Sequence, residues 1–157
     1  MLPPYIAEMF KFNPTREDIE ALRAALRDMV SKVRVEVFIS RNPVECFSCE
    51  DTVKLVKTIA DNSPLIGDEH AVDLKIYDIA VDRDAALRYR VTRMPTIILL
   101  SGAIRYLGMP AGEELRGFVE TIIRVSTGDH GLSKTVVEEI EMLEGRAVIE
   151  VIVTPPC

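Results

Sequence analysis

The chain has 157 residues, enough for one well-cored domain or for one domain and part of another. Hydrophobic residues at 48% and charged residues at 28% describe a chain that folds rather than one that stays disordered. A formal net charge of −6 without a basic stripe speaks against nucleic acid as a main partner, and no apolar run is long enough to span a bilayer.

The start of the chain lacks a basic stretch followed by an apolar run and a small-residue cleavage site, so no secretory signal is read and a cytoplasmic location is expected. The three cysteines, Cys46, Cys49 and Cys157, are an odd number with one tight pair, which is not a secreted disulfide framework. Glutamine is absent, asparagine is scarce, and Glu and Arg are plentiful, a tendency of hyperthermophile chains.

The stretch 13–30 reads as a helix. Thr15 is its expected N-cap, with Asp18 three residues on, and Ile19, Leu22, Leu26 and Met29 form a stripe at helical spacing. Val33, Val35, Val37 and Ile39 alternate as in a strand. A second helix is expected from Cys46 to about Ala60, a loop over 62–70, and a strand over 71–80. A short helix opens on Asp82, and the apolar strand 95–101 turns through Ser101 and Gly102 into a hairpin with 103–108. A further helix covers 111–126. Strands alternating with helices give an α/β fold with a central mixed sheet flanked by helices.

After Gly128 the pattern restarts. A helix over 132–144 and a strand over 147–153 repeat the first helix and strand with a shift of 114, so that Leu26 falls on Ile140 and Val37 on Val151. Each copy then runs through a proline-bearing loop to a cysteine, Cys46 or Cys157. The expected division is 1–128 as a first unit and 129–157 as the opening of a second, incomplete one. An apolar terminal strand is expected to be covered, either by folding back on the first unit or by pairing with a second copy in a homodimer.

The chemistry centres on "ECFSCED". Two cysteines spaced C-x-x-C lie within disulfide reach, and a strand-to-helix junction offers unpaired N–H groups that favour a thiolate at Cys46. Cys49, one turn deeper, would resolve a mixed disulfide. Two alternatives stand beside this: a zinc half-site, which needs two further ligands, and a pair of inert core cysteines. His70 and His130 show no ligand-like spacing, so no metal is expected, and no cofactor. Phe47 and Ser48 form the intervening dipeptide, and Glu45, Glu50 and Asp51 crowd the motif with negative charge that opposes a thiolate. Pro95 opens an apolar strand where it cannot donate to the ladder.

Residues 1–128, through "CFSC" and "RMPT", resemble a thioredoxin-fold unit. With the N-terminal helix, "YLGMPAGEEL" and the restart into "EVIVTPPC", the whole chain resembles the two-unit, glutaredoxin-like protein disulfide oxidoreductases of hyperthermophiles, ending at the first cysteine of the second unit's C-x-x-C. The resemblance implies a cis Met94–Pro95 bond beside the cysteines, substrate contacts from Phe47, Ser48, Met94 and Pro95, and a buried acid as proton acceptor, for which Glu36 is the candidate. An ordinary trans proline and a solvated or ion-paired Glu36 are the alternatives. The implied function is thiol–disulfide exchange on protein thiols and disulfides. An electron carrier between a thioredoxin reductase-like flavoprotein and a peroxiredoxin is a second reading, and an idle interaction module a third.

Overall fold

The valines of Val33–Ile39 form a strand, β1, whose odd-numbered and even-numbered side chains enter different layers. The computed structural model describes residue 8 and residues 10–153. In chain order these form α1 (Arg16–Leu26), β1, α2 (Cys49–Asp61), β2 (Leu65–Ile66), β3 (Glu69–His70), β4 (Val72–Asp78), α3 (Arg83–Arg88), β5 (Thr96–Leu99), β6 (Ile104–Leu107), α4 (Glu113–Thr127) and α5 (Lys134–Glu141).

The main sheet has the order β4–β1–β5–β6. β4 runs parallel to β1, as a strand returning through a helical crossover must, whereas β5 and β6 are antiparallel additions. The stretch 62–70, read as a loop, contains the small hairpin β2–β3, which turns at Gly67 with φ of 67°.

Val33, Val35, Val37 and Ile39 point into one layer, where Leu26 of α1, Leu55, Val56 and Ile59 of α2, and Phe118 and Ile122 of α4 cover them. Phe38 and Ile98 point into the other, with Tyr77, Ala85, Ala86 and Tyr89. Phe38 stacks on Tyr77 at 4.8 Å and meets the Tyr89 ring edge-on at 5.7 Å. Those of them that are fully buried, such as Val35, Val37, Leu55, Phe118, Phe38 and Ile98, each contribute about 1.5–3 kcal/mol.

Thr15 and Asp18 form the expected capping box: the Asp18 amide donates to Thr15 Oγ1 at 3.2 Å, and the Thr15 amide to Asp18 Oδ2 at 2.8 Å. Hydrogen bonding from the Thr15 backbone and hydroxyl holds the Asp18 carboxyl below its ordinary range. At the far end of the layer, Ser126 of α4 accepts from the Val30 and Ser31 amides, both at 2.9 Å, and donates to the Ser31 carbonyl. α4 stops at Gly128, which takes the left-handed conformation common after a helix.

The residues beyond differ from expectation. α5 is shorter than 132–144, and no strand forms over 147–153. Val148, Ile149, Val151 and Ile152 are 74–90% exposed, so this segment does not fold back on the first unit. A strand needs neighbours for its N–H and C=O groups, and no described strand lies beside it. The expectation for Cys157 lies outside the described residues.

Candidate functional site

Beyond β1 the chain turns on Asn42. Its carbonyl accepts from the Glu45 and Cys46 amides, both at 3.0 Å, and its side-chain oxygen accepts from the Val44 amide at 3.1 Å. This side-chain-stabilised turn, with Pro43 fixing φ at its centre, aims Cys46 at the head of α2. Ser40 donates to Glu45 Oε2 at 2.6 Å, and Asn42 Nδ2 donates to Glu45 Oε1 at 3.2 Å. One of the three carboxylates that crowd the motif is thus held by two donors. A second, Asp51, accepts from the Phe12 amide at 3.1 Å and faces Lys54 Nζ at 3.8 Å.

Cys46 and Cys49 are joined by a disulfide, with S–S of 2.05 Å and Cα atoms 5.4 Å apart. The helix does not begin at Cys46 as expected. Ser48 is the N-cap and Cys49 the first helical residue, because residues 43–45 and 47–48 are spent on turns. Cys46 therefore lies before the helix and Cys49 in its first turn. Both are nearly buried, at 5% and 3% exposure, in the layer under α2. Among the described residues no group of three or more His, Cys, Asp or Glu side chains gathers as a metal site would require.

Met94–Pro95 is a cis peptide bond. Met94 packs half-buried against the cluster that contains both cysteines, and Pro95 is buried, with its carbonyl accepting from Gly108 N at 2.9 Å. Phe47 is half-exposed and receives Phe10 edge-on at 5.2 Å. Ser48 is buried, and its carbonyl accepts from the amide and hydroxyl of Thr52. Of the intervening dipeptide, then, only Phe47 presents a surface.

Glu36 is not brought to the cysteines. It alternates with Val35 and Val37, which face the cysteine layer, and so belongs to the face that holds Phe38. There its carboxylate accepts from the Tyr77 hydroxyl at 3.0 Å and the Tyr89 hydroxyl at 2.5 Å. The hydrogen bond to Glu36, and then burial, raise the Tyr89 pKa above its ordinary value of 10.0. The sequence reading offered Glu36 as a shuttle or as a solvated or ion-paired side chain; it is instead 5% exposed and bonded to two phenols.

The chain is 30% identical over 83 residues to two proteins described as probable thioredoxins, from Methanothermobacter thermautotrophicus and Methanothermobacter marburgensis. The match covers 53% of this chain and 87% of each relative. The chain belongs to the thioredoxin family. Its thioredoxin fold also superposes on a protein disulfide oxidoreductase from Aeropyrum pernix with a TM-score of 0.88 and 36% identity. That match covers 96% of this chain and 64% of the Aeropyrum protein, so the chain spans under two thirds of that neighbour's length. An alkylhydroperoxide reductase component of Enterococcus faecalis, AhpF, shares the fold, with a TM-score of 0.66 at 17% identity over 83% of this chain and 61% of its own. No family model matches the chain.

In this thioredoxin unit the residues that sequence reasoning missed are Asn42, Ser40 and Phe10. The Asn-Pro dipeptide at 42–43 is a turn signal and pointed to the first. Ser40 carried no signal beyond its place at the strand end. Phe10 carried none, since its contact with Phe47 is between segments far apart in the chain.

Proposed function

We propose that the chain is a thiol–disulfide oxidoreductase acting on protein disulfides through Cys46 and Cys49. The observation that carries this is the Cys46–Cys49 disulfide at a strand-to-helix turn, packed in one cluster with Met94 of the cis Met94–Pro95 pair. In the reducing direction the dithiol form acts. The Cys46 thiolate attacks one sulfur of a substrate disulfide, forming a mixed disulfide and releasing the other substrate sulfur as a thiolate. Cys49, deprotonated, then attacks Cys46, which closes the intramolecular disulfide and frees the second substrate sulfur. The oxidising direction is the reverse.

Cys46 is assigned as nucleophile because it precedes the helix, on the side where the unpaired N–H groups of α2 favour an anion. Phe47 and Met94 are the side chains assigned to contact substrate, with the Pro95 backbone beside them. The unit boundaries 1–128 and 129–157, a cytoplasmic site of action, and a homodimer formed through the exposed apolar segment 147–153 belong to the same proposal.

Insulin reduction driven by dithiothreitol tests it. Turnover by the wild type that disappears in Cys46→Ser is the expected result, with Cys49→Ser accumulating a mixed disulfide. Equal rates for wild type and Cys46→Ser would overturn it. Slow insulin reduction beside fast transfer from a thioredoxin reductase-like flavoprotein to a peroxiredoxin would move the assignment to electron carriage.

A further inference from the structure

Elsewhere on the chain the cations are largely matched to acids, from Arg16 with Glu20 to Arg124 with Glu120. The stretch 83–105 breaks this pattern. It carries Arg83, Arg88, Arg90, Arg93 and Arg105 against a single acid, Asp84, in a chain whose net charge is −6. None of these arginines takes part in an ion pair among the described residues.

Two of them meet Arg146 around one cavity of about 700 Å³, between the end of α3 and the 100–103 turn, with Tyr89 also in its wall. No carboxylate among the described residues lines it. It is an open depression on the surface, with exposed guanidiniums at its rim. It lies away from the cysteines. β5 starts next to Pro95 and reaches the cavity only after Leu99, about 13 Å on at the usual rise of a strand.

The side of the wall formed by Arg105 and the 100–103 turn is fixed in advance. Leu100 and Ser101 hold left-handed conformations, with φ of 49° and 53°, and Gly102 has φ of 101°. Arg105 Nη1 donates to the Tyr89 carbonyl at 2.6 Å and its Nε to the Gly102 carbonyl at 3.3 Å. Those bonds use two of five N–H donors and stitch the guanidinium between helix end and turn. A Cβ at Gly102 would crowd Arg105 Nη2 at 3.4 Å and the Tyr89 ring at 3.5 Å, so the turn lies directly against this head group. A pre-set guanidinium binds an oxyanion at a lower entropic cost than a free one.

We infer that this cavity is a binding site for a small oxyanion carrying two or more negative charges, a phosphate compound or a polycarboxylate. Three guanidiniums without carboxylate partners among the described residues call for more than one charge, and their forked N–H groups match the oxygens of either class. The inference does not depend on the redox assignment.

Titration of the wild-type protein with inorganic pyrophosphate and, separately, with citrate tests it, read by calorimetry and by amide chemical shifts at low salt. Saturable binding of either anion is expected, with shifts concentrated at Tyr89 and residues 100–103. Binding of one and not the other assigns the class. Arg88→Gln and Arg146→Gln, exposed side chains with no bonds to lose among the described residues, should each weaken binding about fivefold, the effect of one exposed charge contact of about 1 kcal/mol. Arg90→Gln, which alters an arginine outside the cavity wall, should leave binding unchanged. Non-saturating binding of both anions, shifts spread over the surface, or equal weakening by Arg90→Gln would overturn the inference and reduce the effect to general attraction.

Discussion

The Tyr89 hydroxyl donates to Glu36 at 2.5 Å, on the face of the sheet that does not hold the cysteines. With the Tyr77 bond, this leaves Glu36 with a structural role. Glu36→Gln keeps the shape but gives up acceptor capacity toward one phenol. It should cost about 1–3 kcal/mol, seen as a lowered denaturant midpoint. The pH profile of Cys46 and Cys49 chemistry should stay where it is. A shift of that profile would restore Glu36 to the proton path.

The same pair sets a limb of the stability curve. A raised phenol pKa means that the fold favours neutral Tyr89. That contribution is complete below the unfolded value near 10.0 and is lost as pH rises through the higher folded value. Urea midpoints should therefore fall above about pH 10 in the wild type, and Tyr89→Phe should flatten that fall. An unchanged alkaline limb in Tyr89→Phe would show that the phenol is not the group responsible.

Phe10 lies edge-on to Phe47, and Cys46 beside it is only 5% exposed. In the reduced protein, iodoacetamide should modify Cys46 before Cys49, and Phe10→Ala should quicken the first modification by uncovering the dipeptide. Peptide mass mapping after brief labelling reads both. Cys49 labelled first would reverse the assignment of nucleophile and resolver.

The apolar residues at 148–152 stand in solvent. Their amides should exchange with deuterium at nearly open-chain rates, whereas those of β1 exchange only on global unfolding. Protection of 147–153 that grows with protein concentration would instead mark pairing between two copies, the homodimer proposed above.

The sequence made legible what short-range rules control. The Thr15–Asp18 box, the alternating valines of β1, the hairpin through Ser101 and Gly102, and the cysteine pair all follow from spacing within a few residues. Glu36 escaped because alternation says which residues share a face but not which face meets which helix. Tyr77 and Tyr89 reach it from 41 and 53 residues away. The helix start moved from Cys46 to Cys49 because the Asn42 turn consumes residues that propensity would have made helical. The terminal strand failed for a physical reason of another kind. Pattern gives a segment the faces of a strand, but only a neighbouring strand makes it one.

Ser126 has a further meaning for the order in which the chain closes. It satisfies two amides that lie 95 and 96 residues earlier, whereas β1, α2 and β4 follow one another closely along the chain. Contacts of long sequence separation carry the larger loop-closure cost, so this clasp is expected to form after the β1–α2–β4 unit rather than with it. The Val30 and Ser31 amides then act as a built-in gauge of α4 docking. They become protected when α4 seats, and in Ser126→Ala they lose their acceptor while β1 and β4 keep theirs.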